Sequence, residues 1–300
     1  RVMAFWMLDE IPLGIMDFCN EHEVDAWTKG ITDLPGVLKQ EMQPLLLTAY
    51  SKPDTIPFGD IMETSRWDLI MHAVSRIPKS SPATKFAALW GNLRLLQHLH
   101  ERDFEWGRDT CAAASEGGHL DCLTYALDHG CPWDVKVSLW AAQNGHLACL
   151  KYAHENGLEW HTDVHKYAAL EGHLDCLQYA HEHGCPWDSK TTKCAAQEGH
   201  VHCLMYALEH GCPVEVAASE LACKYGRLEC LQLLHQFGAP WDRGVPFHAA
   251  MCPTTGCLQF LHENGCPWDK DTPHQAAVKG HIEPLRYALQ YYCSKGCTRK

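Results

Sequence analysis

The sequence contains no run of 18 consecutive apolar residues, so its hydropathy predicts no membrane-spanning helix. It is also poor in positive charge: Lys and Arg number 25 against 37 Asp and Glu, which makes the formal net charge −12. This balance disfavours nucleic acid and membrane surfaces as partners, because phosphate groups are bound by clustered Lys and Arg.

The motifs of common catalytic sites are missing as well. No nucleophile elbow, phosphate-binding loop, His-Glu-x-x-His helix or dinucleotide fingerprint occurs in the chain. The best local metal candidate is His181-x-His183-x-Cys185, but residues two apart on a helix point to different sides. We therefore expect no enzymatic activity, no cofactor and no bound metal.

Cysteine is abundant, with 17 residues, yet its pattern does not indicate disulfides. The count is odd, the chain is long and no signal peptide is visible, whereas disulfide-rich secreted domains are short. We interpret the thiols as reduced and expect an intracellular protein, in the cytoplasm, with a nuclear location left open.

Tryptophan recurs at a fixed interval of 27 residues, which indicates an internal repeat. The positions are Trp106, Trp133, Trp160, Trp187, Trp241 and Trp268, with Val214 at the one missing step. Eight such units fit without an insertion from residue 80 to residue 295. One unit of this length cannot bury its own apolar face, so neighbouring units must stack into a continuous core.

Each unit has the pattern of two short helices. In the fourth unit Gly172 ends the first helix and Gly184 ends the second, after which Cys-Pro-Trp-Asp leads into the next unit. Leu174, Leu177 and Ala180 recur at steps of three residues, which is a helical period, and no segment alternates like a strand.

Cysteine and histidine also recur at fixed phase. The cysteines are Cys122, Cys149, Cys176, Cys203, Cys230 and Cys257, and the histidines are His119, His146, His173, His200 and His281. We interpret the cysteines as small core residues, the histidines as hydrogen-bonding residues at helix starts, and the tryptophans as buried plugs between loops. The alternatives are metal ligation by cysteine and an exposed aromatic ladder. We also hypothesise that protonation of the histidine row weakens the stack below pH ~6.

The Ala-Ala, Gly-His-Leu and Leu-x-Tyr-Ala segments resemble the helix–turn–helix of the ankyrin-repeat superfamily, and Thr272-Pro273-His274 resembles its opening Thr-Pro-Leu-His. An ankyrin unit has about 33 residues, so about six are missing where its β-hairpin finger would lie. The resemblance implies an all-α solenoid of about eight stacked helix–turn–helix repeats over residues 80–295, with shortened or absent fingers.

The most variable positions of the repeat precede Ala-Ala on the first helix. One of them holds Ala113, Trp140, Tyr167, Cys194, Leu221, His248 and Gln275 in successive units. The position directly before it holds, in the same order, Ala112, Leu139, Lys166, Lys193, Glu220, Phe247 and His274. Aromatic residues and mixed charge favour protein binding, and the alternative is neutral variation of a solvated surface. Our candidate partner-binding residues are Trp140, Tyr167, Lys166, Lys193 and His248.

Residues 1–79 do not fit the repeat and are predicted to form a helical N-terminal segment. Residues 66–77 match the second helix of a degenerate capping repeat. The run from Leu8 to Met16 resembles the start of an F-box, the helical module that docks substrates on a cullin-type ubiquitin ligase. Residues 296–300 form a basic tail.

The leading functional prediction is a monomeric, non-catalytic scaffold for protein–protein interaction. Its partner would bind the variable face of the repeat stack. The alternative is a substrate adaptor of a cullin-type ubiquitin ligase, with residues 8–47 as the docking segment.

Overall fold

The structure is a computed structural model that describes Val74, Lys79 and residues 82–107, 109–269 and 271–296, the last six by their backbone. The chain divides into two compact units: Arg1–Phe86 with Leu99–Glu105, and Ala87–His98 with Trp106–Lys300. The predicted F-box-like stretch, the predicted capping helix and residues 297–300 of the predicted tail lie outside the described residues, apart from Val74 of the capping helix.

The described residues form sixteen helices and no strand. The helices are α1 Ala83–Leu89, α2 Leu93–Glu101, α3 Asp109–Gly117, α4 Leu120–Asp128, α5 Lys136–Gln143, α6 Leu147–Glu155, α7 Val164–Glu171, α8 Leu174–Glu182, α9 Ser189–Glu198, α10 Val201–Glu209, α11 Val216–Lys224, α12 Leu228–Gln236, α13 Gly244–Ala249, α14 Gly256–Glu263, α15 Thr272–Lys279 and α16 Ile282–Gly296. These eight consecutive helix pairs confirm the predicted all-α repeat of helix–turn–helix units without β-hairpin fingers over the described residues. None of the sixteen combines the length and the hydropathy needed to cross a membrane.

A glycine in the left-handed conformation ends the first helix of most pairs. Gly172, for example, has φ 80°, and its N–H donates to the Ala168 carbonyl. The His173 N–H donates to the same carbonyl at 2.8 Å, and α8 begins one residue later. An added Cβ at residue 172 would lie only 2.5 Å from the imidazole of His200, so backbone conformation and space both require glycine.

Within the unit that contains Trp106–Lys300, the helices form two rows. The first helices of successive pairs pack side by side from α3 to α15, and the second helices do the same from α4 to α14. Ala168 and Ala169 are fully buried and small, so they allow a close approach of the first helices. Leu177 of the second row is also fully buried, and burying one leucine stabilises a fold by about 2 kcal/mol.

Two helices depart from the repeat. Helix α13 has only six residues, and Pro253 stands where most other units carry the glycine that ends the first helix. Helix α16 has 15 residues, because Tyr292 replaces the glycine found in the preceding unit at Gly265. Without that stop the last helix continues to Gly296.

Candidate functional site

The tryptophans of the repeat are half-buried. They are Trp106, Trp133, Trp160, Trp187, Trp241 and Trp268. Our interpretation of these tryptophans as buried plugs between loops is therefore corrected, and they do not form a freely exposed aromatic ladder either. Their environment explains the difference, because in most cases one side of the indole packs on rings of its own and the next repeat.

The ring cluster around Trp187 shows how the indole joins two repeats. Its ring stacks on His181 of the same repeat, with 3.9 Å between centroids, and meets Tyr206 of the next repeat edge-on at 6.4 Å. The His181 Nδ1 atom lies 2.9 Å from the Tyr206 hydroxyl, and the His210 ring packs on Tyr206 at 4.1 Å and on His181 at 5.2 Å. Burial, together with His210, lowers the pKa of His181. Each ring pair adds about 1 kcal/mol beyond its buried area, so the cluster stabilises the contact between repeats.

The predicted histidine row lies at the starts of second helices, but it reaches the neighbouring repeat rather than capping its own helix. The His200 Nε2 atom lies 3.0 Å from the Leu170 carbonyl, near the end of α7, and its side chain caps nothing in α10. A carbonyl only accepts, so Nε2 carries the hydrogen. Arg227 occupies the same position one repeat later and donates from Nε to the Gln197 carbonyl at 3.1 Å. Donors at this point satisfy carbonyls that the end of a helix leaves unpaired.

The six recurrent cysteines are core residues, as predicted, and each is at most 1 % exposed. Burial raises the pKa of Cys176 to about 12 and that of Cys203 to about 11, so these thiols stay protonated at neutral pH. Cys257 differs, because a hydrogen bond from the Cys223 thiol lowers its pKa. The described cysteines form no disulfide.

Most of the variable positions form a half-exposed surface beside the fully buried alanine pairs, whereas Ala112 and Ala113 are buried. We call it the first-helix face. It comprises Leu139, Trp140, Lys166, Tyr167, Lys193, Cys194, Glu220, Leu221, Phe247 and His248, which are all partly exposed. The five candidate binding residues therefore lie on one row of helices, α5, α7, α9 and α13, with their side chains partly exposed.

An ion pair and a longer polar contact on and beside this face connect neighbouring repeats. The Lys193 ammonium lies 3.1 Å from the Glu215 carboxylate, and the His248 Nδ1 atom lies 3.8 Å from that of Glu220. The same His248 nitrogen donates to the Gly244 carbonyl at 3.0 Å. These contacts fix the orientation of two candidate binding residues.

A further row of charges alternates in sign at intervals of 27 residues, from Asp109 through Lys136 and Asp163 to Lys190. Lys136 pairs with Asp109 at 3.8 Å, and Lys190 pairs with Asp163 at 3.4 Å. Sequence reasoning missed this row, although the alternation at a constant phase was visible. Solvent screens both pairs, because most of these side chains are largely exposed, so they contribute little to stability.

Sequence reasoning also missed a buried polar row on the first helices. The Thr192 hydroxyl donates to the Pro213 carbonyl at 3.0 Å, and the Ser219 hydroxyl reaches the corresponding Pro240 carbonyl at 3.4 Å. His165 occupies this position in α7 and directs Nδ1 to the Pro186 carbonyl at 3.2 Å. Its side chain is 1 % exposed, and its Nε2 atom is buried without a hydrogen-bond partner. Burial lowers the pKa of His165 to about 4.

No group of three or more His, Cys, Asp and Glu side chains among the described residues is arranged to hold a metal ion. His181 and His183 illustrate why the local motif does not converge. His181 Nδ1 turns to the Tyr206 hydroxyl of the next repeat, whereas His183 Nδ1 turns back to the Tyr179 carbonyl at 2.8 Å. Cys185 points to the backbone of its own loop.

Comparison with known proteins finds similarity in structure only. No protein-family model matches the chain, and no curated protein matches it. A similar solved structure is the crystal structure of the human ASB11 ankyrin repeat domain, with 21% sequence identity and a TM-score of 0.46. The match covers 53% of this chain and 85% of that one.

Proposed function

We propose that this chain is a non-catalytic scaffold that binds a protein partner through the first-helix face. The observation that carries the proposal is the contrast between adjacent positions on one helix row. Ala168 and Ala169 of α7 are fully buried, as are Ala195 and Ala196 of α9. The residues directly before these alanine pairs differ from repeat to repeat and are partly exposed. A constant frame with variable exposed positions is how repeat proteins distinguish partners.

The chemistry of the face supports a protein as the ligand. Trp140 and Tyr167 provide large, partly apolar surfaces in neighbouring repeats, while Lys166, Lys193 and His248 add polar groups around them. Aromatic residues are enriched in the centres of protein interfaces, where they contribute most of the binding energy. The paired side chains of Lys193 and His248 lose little further freedom on binding, because Glu215 and Glu220 already hold them.

The experiment is affinity purification with the intact chain, followed by calorimetry with the recovered partner. Replacing Trp140 and Tyr167 together with Ala should weaken binding by about tenfold or more, since each buried aromatic anchor contributes more than about 1 kcal/mol. The helical circular dichroism signal should not change, because neither side chain lies in the core.

A matched control is Met205→Ala, which removes an exposed apolar side chain from the second-helix row. Its affinity should equal that of the unaltered chain. Equal affinity for the double variant on the first-helix face would refute the proposal.

A further inference from the structure

Two lysines of the first-helix face act on one neutral side chain, that of Cys194, together with two carboxylates. Among the cysteines whose side chains the structure describes, only Cys194 of α9 is not buried. Lys166 and Lys193 both act on this thiol and oppose the rise in its pKa that burial causes. The Lys166 ammonium also lies over the Tyr167 ring, 4.4 Å from its centroid. Lys166 and Lys193 are therefore both close enough to Cys194 to influence its thiol, and Lys166 also contacts an aromatic ring.

One of these charges lacks a counterion in the described part of the chain. Lys193 is paired with Glu215 at 3.1 Å, whereas Lys166 takes part in no ion pair there. Glu198 and Asp188 also act on the Cys194 thiol and raise its pKa, but Glu198 itself lies 4.0 Å from an arginine of the next repeat.

The Cys194 thiol does not act as a negatively charged counterion for Lys166. Burial is the largest effect on Cys194 and raises its pKa, so the group is neutral at pH 7. Lys166 thus presents an uncompensated positive charge on a chain whose formal net charge is −12.

We propose that the partner bound by the first-helix face is an extended acidic peptide segment, with one carboxylate seated beside Lys166 and Cys194 and an apolar side chain against Trp140. This inference rests on the proposed function and adds the chemistry of the ligand. A carboxylate fits better than a phosphate, because phosphate recognition commonly uses arginine, and helices α5, α7, α9 and α11 contain none.

The repeat also sets the spacing of the ligand. Trp140, Tyr167 and Cys194 occupy one position in three successive first helices. Packed helices stand about 8–10 Å apart, and an extended chain advances about 3.3 Å per residue. Three ligand residues therefore match one repeat, so the apolar and acidic side chains should be separated by three or six positions.

The test is selection of binding peptides from a random displayed dodecapeptide library on the full chain. Selected peptides should contain Asp or Glu three or six residues from an aromatic or aliphatic residue. They should also protect Cys194 from alkylation by iodoacetamide, measured by mass spectrometry of the peptide that contains it.

The charge is tested with Lys166→Glu, which should weaken a selected peptide by about tenfold or more. Exchanging the peptide's acidic residue for Lys should restore binding to that variant. Lys151→Glu is the matched control, because Lys151 also lies near a tyrosine ring, at 5.4 Å from Tyr179, but on the second-helix row. It should leave affinity unchanged.

The outcomes separate this inference from the proposed function. Peptides that protect Cys194 but lack acidic residues, or that bind Lys166→Glu equally well, would overturn the acidic ligand and leave the binding face intact. A phosphoserine peptide that binds more than about tenfold tighter than its Glu counterpart would overturn the carboxylate. Failure of every selected peptide to protect Cys194 would overturn both.

Discussion

His165 should make the stability of the repeat stack depend on pH in a range where most proteins are insensitive. Its ordinary pKa is 6.5, and burial lowers the pKa to about 4 in the folded chain. The Pro186 carbonyl and Asp188 act in the opposite direction and His181 in the same one, but burial outweighs them. The Nε2 atom that would take up the proton has no acceptor nearby.

The direction and size of the effect follow from proton uptake. Above pH 6.5 the imidazole is neutral in the folded and the unfolded chain, so its contribution to stability is fully present. Below pH 6.5 only the unfolded chain binds the proton, and the free energy of unfolding falls until the pH reaches about 4. A pH of ~5 is about 1.5 pH units below the ordinary pKa, so the free energy of unfolding has fallen there by about 2 kcal/mol.

The perturbation is His165→Thr, which places at this position the hydroxyl that Thr192 carries in the next repeat. The smaller side chain costs stability through a cavity, but that cost does not vary with pH. We expect the free energy of unfolding to fall by about 2 kcal/mol less than in the unaltered chain between about pH 7.5 and pH 5. The remaining slope belongs to other groups such as His146 and His181, whose pKa values are also lowered.

The assay is urea unfolding followed by circular dichroism at several pH values, with the unfolding slope checked for constancy. Thr192→Ser is the matched control, because it keeps the hydroxyl at the equivalent position and should not change the pH dependence. Equal pH dependence for His165→Thr and the unaltered chain would refute the reasoning. A proton NMR titration that placed the His165 imidazole near 6.5 in the folded chain would do the same.

Three further changes test the contacts between repeats by urea unfolding. His200→Ala should lower the free energy of unfolding by about 1 kcal/mol through loss of the bond to the Leu170 carbonyl, whereas His200→Arg should retain it; equal losses would contradict a donor role. Tyr206→Phe should cost about 1 kcal/mol because it removes the hydroxyl next to His181 Nδ1, and no loss would show that this bond adds nothing. Cys176→Ser should cost more than Cys176→Ala, because it buries a hydroxyl where the thiol is fully buried; the reverse order would argue against an apolar site.

The repeated fold could be predicted from the sequence because its signals are local. A glycine in the left-handed conformation ends a helix through its own backbone geometry, as Gly172 and Gly184 do. The 27-residue period repeats these helix ends along the chain. The extension of α16 follows the same rule, since Tyr292 replaces a glycine. The placement of the candidate binding residues on one face could also be predicted, because Trp140 and Tyr167 occupy the same position in neighbouring repeats.

The contacts across repeats could not be predicted in the same way. That His200 reaches the Leu170 carbonyl, 30 residues earlier, depends on the distance between stacked pairs and on a side-chain rotamer. The half-burial of Trp187 likewise depends on where His181 and Tyr206 place their rings. A constant phase identifies which residues are equivalent, but it does not specify what each one contacts.

The aromatic clusters show that equivalent positions act together rather than independently. Histidine stands six residues before tryptophan in several repeats, and the two rings stack in most of them, as in His154 and Trp160 at 4.7 Å. His262 instead meets Trp268 edge-on at 6.0 Å. Where Leu127 stands in that position, Trp133 has no ring contact among the described residues. At the step where Val214 replaces tryptophan, histidine and tyrosine are replaced as well, by Leu208 and Leu233. The missing tryptophan is therefore a change of the whole contact, from a hydrogen-bonded aromatic cluster to an aliphatic one.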